Sequence, residues 1–229
     1  MFPTTPWDEK PIKHYTQVVQ ITIHHFYITG DIEEEVERYT EMLNTLKTSE
    51  PQDRIFIYLN TPGGSLSTAI QIVSAITSSP AEVITVMEGE VCSAGTFIFL
   101  SGDLYVVKPN CSFLAHNYSH GTMGKGAEVA AHVNFSQQYA KELIHSFYDG
   151  FLTPKEIDQI CEDRDFWMTS NDVIKRLKKR DPDKVIDDVN MEVEMEEEPA
   201  PPKPKRTPAR KNPPNKTRKK KAARKIPVG

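Results

Sequence analysis

Residues 54–76 read RIFIYLNTPGGSLSTAIQIVSAI, and the two halves of this run obey different periods. RIFIYLN (54–60) is almost continuously apolar, the pattern of a strand covered on both faces, as strands of parallel sheets are. Thr61-Pro62-Gly63-Gly64 is a turn. Beyond it Leu66, Ala69, Ile70, Val73 and Ile76 recur at helical spacing. Strand, tight turn and helix in that order is half of a β-α-β unit, so the run predicts an α/β chain.

The pattern continues on both sides. QVVQITIHHFYITG (17–30) is rich in β-branched and aromatic residues and ends in Gly30-Asp31, so it reads as a strand. Asp31 is placed to cap a helix over 32–47, where Ile32, Val36, Tyr39, Met42, Leu43 and Leu46 share one face. EVITVME (82–88) predicts a further strand, followed by a helix around 93–101. Short strands are expected at 104–107 and 112–116, then the Gly-rich SHGTMGKG (119–126) and a long helix over 127–149. Thr153-Pro154-x-Glu156 starts another helix, and Ser170-Asn171-Asp172 a last short one. Strands and helices in alternation imply β-α units on a mostly parallel sheet.

The chain has 229 residues and a net charge of −4, but the two signs are separated. All 32 acidic residues precede Pro199, whereas 12 of the 28 lysines and arginines follow it; residues 1–198 thus carry −16 and the last 31 carry +12. The expected organisation is an N-terminal arm over 1–16, a folded domain over 17–186, an acidic linker over 187–198, and a basic, Pro-rich tail over 199–229. The tail has too little apolar surface to offset the entropy of ordering, so it is expected to be disordered. Such a basic segment suits nucleic acid or an acidic partner, the plain alternative being a solvated tail. Three cysteines (Cys92, Cys111, Cys161) have neither disulfide-framework nor zinc-ligand spacing, which fits a reducing compartment. No apolar run has the length of a signal peptide or a membrane span, so a soluble, cytoplasmic protein without metal or cofactor is expected.

Four segments carry candidate chemistry. Asn60-Thr61-Pro62-Gly63-Gly64-Ser65 brings bare backbone N–H groups to a strand end. Gly89-Glu90-Val91-Cys92-Ser93-Ala94-Gly95-Thr96 puts a serine among small neighbours at a strand-to-helix junction, the setting of a nucleophile elbow although the G-x-S-x-G spelling is absent. A serine at a helix start is more often a cap. Leu114-Ala115-His116-Asn117 offers a histidine at a strand end, with His24, His25, His120, His132 and His145 as competitors. Arg164-Asp165-Phe166-Trp167-Met168-Thr169 offers a carboxylate beside a bulky apolar pair. Taken singly, each has an ordinary structural explanation.

Taken together, in this order and spacing, the four resemble the proteolytic subunit of the Clp protease, over roughly residues 17–178. The resemblance implies the ClpP/crotonase-like fold of stacked β-α units with a protruding strand-helix handle over 119–149. It implies Ser93 as nucleophile, His116 as general base and Asp165 as the orienting acid, with Asp163 as the alternative carboxylate. Gly64 and Ala94 match the backbone oxyanion-hole positions. Gly63, Ser65 and Leu66 on one side, and Asn117, Tyr118 and Ser119 on the other, match the strips that hold an extended peptide. It further implies two stacked rings, heptameric in the family, fed by an ATP-driven AAA+ unfoldase. Departures are Ala94 where the family has Met, Asn117-Tyr118 where it has Gln-Pro, the Ile174–Lys179 stretch, the N-terminal arm, and the tail. A crotonase-type acyl-CoA enzyme shares the fold type, and a signal-peptide peptidase of the A type needs a lysine base; an intact Ser/His/Asp set argues against both. The non-enzymatic alternative is an inactive ring subunit or assembly factor.

Overall fold

Six strands form one sheet in the order β1-β2-β3-β5-β6, with β4 beside β3. The computed structural model describes residues 20–119 and 121–186; the arm (1–16), residues 17–19, His120, the acidic linker and the basic tail lie outside the described residues. In chain order the elements are β1 (Ile23–Thr29), α1 (Thr40–Thr48), β2 (Arg54–Thr61), α2 (Leu66–Thr77), β3 (Glu82–Cys92), α3 (Ala94–Leu100), β4 (Leu104–Val107), β5 (Ser112–Ala115), α4 (Gly126–Tyr148), α5 (Pro154–Cys161), β6 (Phe166–Thr169) and α6 (Ser170–Arg180). All strand pairs are parallel except β5 with β6, matching the α/β, ClpP-type expectation.

β2 shows why the apolar run reads as it does. Ile55, Ile57 and Leu59 face the main core, while Phe56 and Tyr58 join Ile84, Val86 and Val106 in a second cluster on the opposite face. Both faces are covered, so alternation disappears. A fully buried aliphatic side chain is worth about 1.5–3 kcal/mol, and Ile55, Ile57, Leu59, Ile72, Val83 and Ile98 are all closed to solvent.

β3 is the longest strand and divides its pairing. Ile84–Met87 pair with β4, and Glu90–Cys92 pair with β5. On its other side the register with β2 shifts between Leu59 and Thr61, which face Met87 and Val91. The extra β3 residues bend over Asn60, whose side-chain carbonyl accepts from Glu90 N at 3.1 Å. Gly89 makes room for it, since a Cβ there would lie 2.5 Å from Asn60 Oδ1.

Three expectations are corrected. The helix after β1 does not begin at Asp31: a 3₁₀ turn at Val36–Tyr39 precedes α1, because Ile32 is bonded to the Gly63–Ser65 loop instead. The handle has its helix but no strand among its described residues 119 and 121–125, where Gly121 and Gly124 supply no side chains to pack. β6 has no counterpart among the elements expected from the sequence. α4 runs 23 residues, about 34 Å, yet only Ala140, Ile144 and Tyr148 in its last turns are buried. Its earlier turns stand clear, with Phe135 66% exposed and stacked on Tyr139.

α5 and α6 are clamped by an ion pair. Arg176 donates twice to Glu156, at 2.7 and 3.0 Å, and Thr153 donates to the same carboxylate from its N–H and hydroxyl. The Arg176 guanidinium above all holds the Glu156 carboxyl down at about 2. A depressed carboxylate stabilises the fold fully above its ordinary pKa and loses that contribution as pH falls toward about 2. For a part-exposed pair the amount is about 1 kcal/mol. The melting midpoint is therefore expected to fall between pH 4.5 and 2, and by less in Glu156→Gln; equal falls in both proteins would remove the clamp from the acid transition.

Candidate active site

The β2–α2 loop is fixed from both sides. Thr61 is fully buried, and its hydroxyl accepts from Gly63 N at 3.0 Å. Ile32 N donates to Gly63 O at 2.8 Å, and Ser65 N donates to Ile32 O at 2.7 Å. These bonds flank Gly64 and, among the described residues, leave its own N–H unused, at the edge of a cleft of about 690 Å³. Gly63 (φ +102°) and Gly64 (φ +139°) occupy conformations closed to most residues, and a Cβ on Gly64 would collide with the Ile32 carbonyl. Ser65 caps α2 through Thr68 N.

The β3–α3 junction meets this loop directly. Ser93 stands at φ 54°, ψ −128°, a strained setting for a non-glycine residue that costs about 1–3 kcal/mol. Its side chain makes no capping bond to α3, so the ordinary role of a serine at a helix start is not the one it fills. The main chain holds it in place: Ser93 N donates to Leu114 O at 3.0 Å, and Ser93 O accepts from Thr96 N at 2.9 Å and from the Thr96 hydroxyl at 2.6 Å. A Cβ on Gly63 would lie 2.5 Å from Ser93 Cβ and 3.2 Å from Ala94 N, so the two loops pack with no space between them.

His116 follows the last residue of β5, and Asp165 precedes the first residue of β6. Ala115 pairs with Phe166 in the antiparallel ladder, so one further step sets His116 opposite Asp165. His116 is half-buried and lines the cleft with Ser93, Gly64 and Ala94; Asp165 is exposed. Among the described residues no hydrogen bond joins Ser93 to His116 or His116 to Asp165. Asp163, the alternative carboxylate, accepts from Asn117 Nδ2 at 2.7 Å.

Ser65, Leu66, Tyr118 and Ser119 also line the cleft, whereas Gly63 lies behind Ser93 and Asn117 faces a second cleft of about 880 Å³ with Asp163. His132 reaches the main cleft as well; His24, His25 and His145 do not line it, and His120 lies outside the described residues. Sequence reading missed Ile32, which anchors the loop, and Phe97, Leu143 and Ile144, which make the cleft floor apolar. Cys92 adjoins Ser93, but burial first and the Glu90 carboxylate second push its thiol up to about 12, so no thiolate competes as nucleophile.

A family model described as Clp protease matches residues 9–176. The chain belongs to the Clp protease family. It is 26% identical over 159 residues to the ATP-dependent Clp protease proteolytic subunit 2 of Pseudomonas aeruginosa, covering 68% of this chain and 78% of that protein. The Clp protease match takes in all six strands and stops within α6, leaving the acidic linker and basic tail beyond it. No described helix of the chain is long and apolar enough to cross a membrane.

Proposed function

We propose that this Clp-family chain is a serine endopeptidase acting on unfolded proteins or peptides. Ser93 Oγ attacks the scissile carbonyl while His116 takes its proton, and Asp165 orients the imidazole and stabilises its charged form. The oxyanion that forms is met by the N–H groups of Gly64 and Ala94. His116 returns the proton to the leaving amine, and a water then releases the acyl group from Ser93 by the same route. Gly63, Ser65 and Leu66 on one side and Asn117, Tyr118 and Ser119 on the other flank the peptide, which lies extended between them.

The observation that carries this reading is the strained Ser93 seated on the Gly63 backbone, with its hydroxyl left out of helix capping. A fluorophosphonate probe tests it. The assembled protein should be labelled, and digestion should place the label on Ser93. A label elsewhere, or none in the assembled state, defeats the reading.

The assembly proposed for the chain is the ring type of its family. Subunits would form two stacked rings, heptameric in the Clp pattern, meeting through the exposed turns of α4, with the peptidase domain over 17–186. An AAA+ unfoldase would supply substrate in the cytoplasm, the arm over 1–16 taking part in docking. The 199–229 tail would hold nucleic acid or an acidic partner, joined through the 187–198 linker. Salt-sensitive DNA binding lost on truncation after Glu198 supports that role, and no binding at low salt ends it. The second reading, a catalytically inactive ring subunit, draws on the missing Ser93–His116 bond; an unlabelled assembly would favour it.

A further inference from the structure

Beneath Ser93 lies a buried chain of hydroxyls. Thr96 Oγ1 is 2.6 Å from Ser93 O and 2.7 Å from the Tyr148 hydroxyl, 52 positions away in sequence. Thr96 and Tyr148 are both closed to solvent. A hydroxyl has one proton to give. Thr96 gives its proton to the Ser93 carbonyl, so the Tyr148 O–H must donate to Thr96.

The Ser93 carbonyl and the Ala94 N–H belong to one peptide group, which is planar and trans, so the two point in opposite directions. Fixing the carbonyl downward on Thr96 therefore fixes the N–H upward, toward the cleft that Ala94 lines. We propose that Thr96 and Tyr148 are positioning residues that aim the Ala94 N–H at the developing oxyanion. The inference rests on Ser93 as nucleophile and Ala94 as oxyanion donor. It adds that Tyr148, the last residue of α4, joins the base of that helix to the catalytic peptide plane.

The test uses the full chain carrying Thr96→Val, Tyr148→Phe, both together, and Thr96→Ser. Thr96→Val leaves the Tyr148 hydroxyl buried without an acceptor, which destabilises by itself; the double variant removes both polar groups and avoids that cost. An intact oxyanion donor is worth about 100- to 1,000-fold in kcat, and a misdirected one should forfeit about tenfold or more. The double variant should thus lose about tenfold in kcat with KM within about twofold, because the donor acts on the transition state alone. A peptide boronate, which mimics the tetrahedral intermediate, should weaken by the same factor, and Thr96→Ser should restore both. Unchanged kcat in a folded double variant overturns the inference, as does a loss in which KM moves equally and boronate affinity does not.

A separate readout keeps this apart from the nucleophile assignment. In protein labelled with ¹⁵N-alanine, the Ala94 amide resonance should shift in Thr96→Val and return in Thr96→Ser. If the wild type fails to take the fluorophosphonate, the nucleophile assignment falls while this resonance still reports the peptide plane. An unmoved Ala94 resonance overturns the positioning role whatever the activity.

Discussion

Ser93→Ala is expected to lower turnover of an unstructured fluorogenic peptide by on the order of 10⁴-fold or more, and His116→Ala by a comparable factor. The two act as one unit: without the base the hydroxyl is a poor nucleophile, and without the hydroxyl the base has nothing to activate. The double variant should therefore be no slower than either single one. What survives is substrate binding and the two backbone donors, whose N–H groups no side-chain substitution at Ser93 or His116 removes. Asp165→Ala should cost less than either, on the order of 10⁴-fold where those reach roughly 10⁶-fold, since it orients His116 rather than reacting. Asp163→Ala separates the two carboxylates, because Asp163 is bonded to Asn117. If Asp163→Ala proves the more damaging, the acid has been placed two residues too late; if Ser93→Ala stays within tenfold of wild type, the nucleophile lies elsewhere.

Gly63→Ala is the second large effect, and it acts without removing any reacting group. The new methyl carbon would lie 2.5 Å from Ser93 Cβ and 2.8 Å from Cys92 O, at a φ of +102° that disfavours alanine in any case. Neither neighbour is the loose end of a flexible side chain, so one loop must withdraw from the other. A displacement of an ångström between nucleophile and oxyanion donor costs about 100-fold in rate. The backbone conflict should also remove about 1–3 kcal/mol of stability, roughly 2–4 °C of melting midpoint per kcal/mol in a domain of this size. Gly126→Ala provides the contrast, because a Cβ there meets none of the described residues within 4 Å. Full activity in Gly63→Ala would mean that the two loops are not held against each other during catalysis.

Much of this arrangement is written locally and could be read locally. β2 with α2 and β3 with α3 announce themselves through continuous apolar runs followed by small residues, since both faces of those strands are covered. Capping boxes at Thr153 and Thr169 are self-contained, although the second begins one residue before the expected Ser170. The failures share a cause: a distant partner overrides the local signal. Asp31 looks like a cap, but Ile32 is occupied by the Gly63–Ser65 loop. β6 spans only four residues, and its existence depends on β5, more than 50 positions earlier. The approach of His116 to Asp165 is a matter of register, which no short motif encodes. The Thr96–Tyr148 bond is likewise a product of packing between helices far apart in the chain.

The divided pairing of β3 bears on which changes in length the chain can absorb. Its first half is locked into register with β2 and β4, and its second half carries Ser93 on the end of the ladder with β5. Between them, Glu88–Glu90 form the bend over Asn60, with Glu88 and Glu90 exposed. Substitutions at those exposed carboxylates leave both ladders where they are. Deleting one residue there would turn every side chain beyond it to the opposite face, because side chains alternate along a strand. Cys92 and Ser93 would exchange sides, and the serine would point into the core. The bend can thus drift in composition at Glu88 and Glu90, though not at Gly89, while an insertion or deletion of a single residue within it silences the site from a distance.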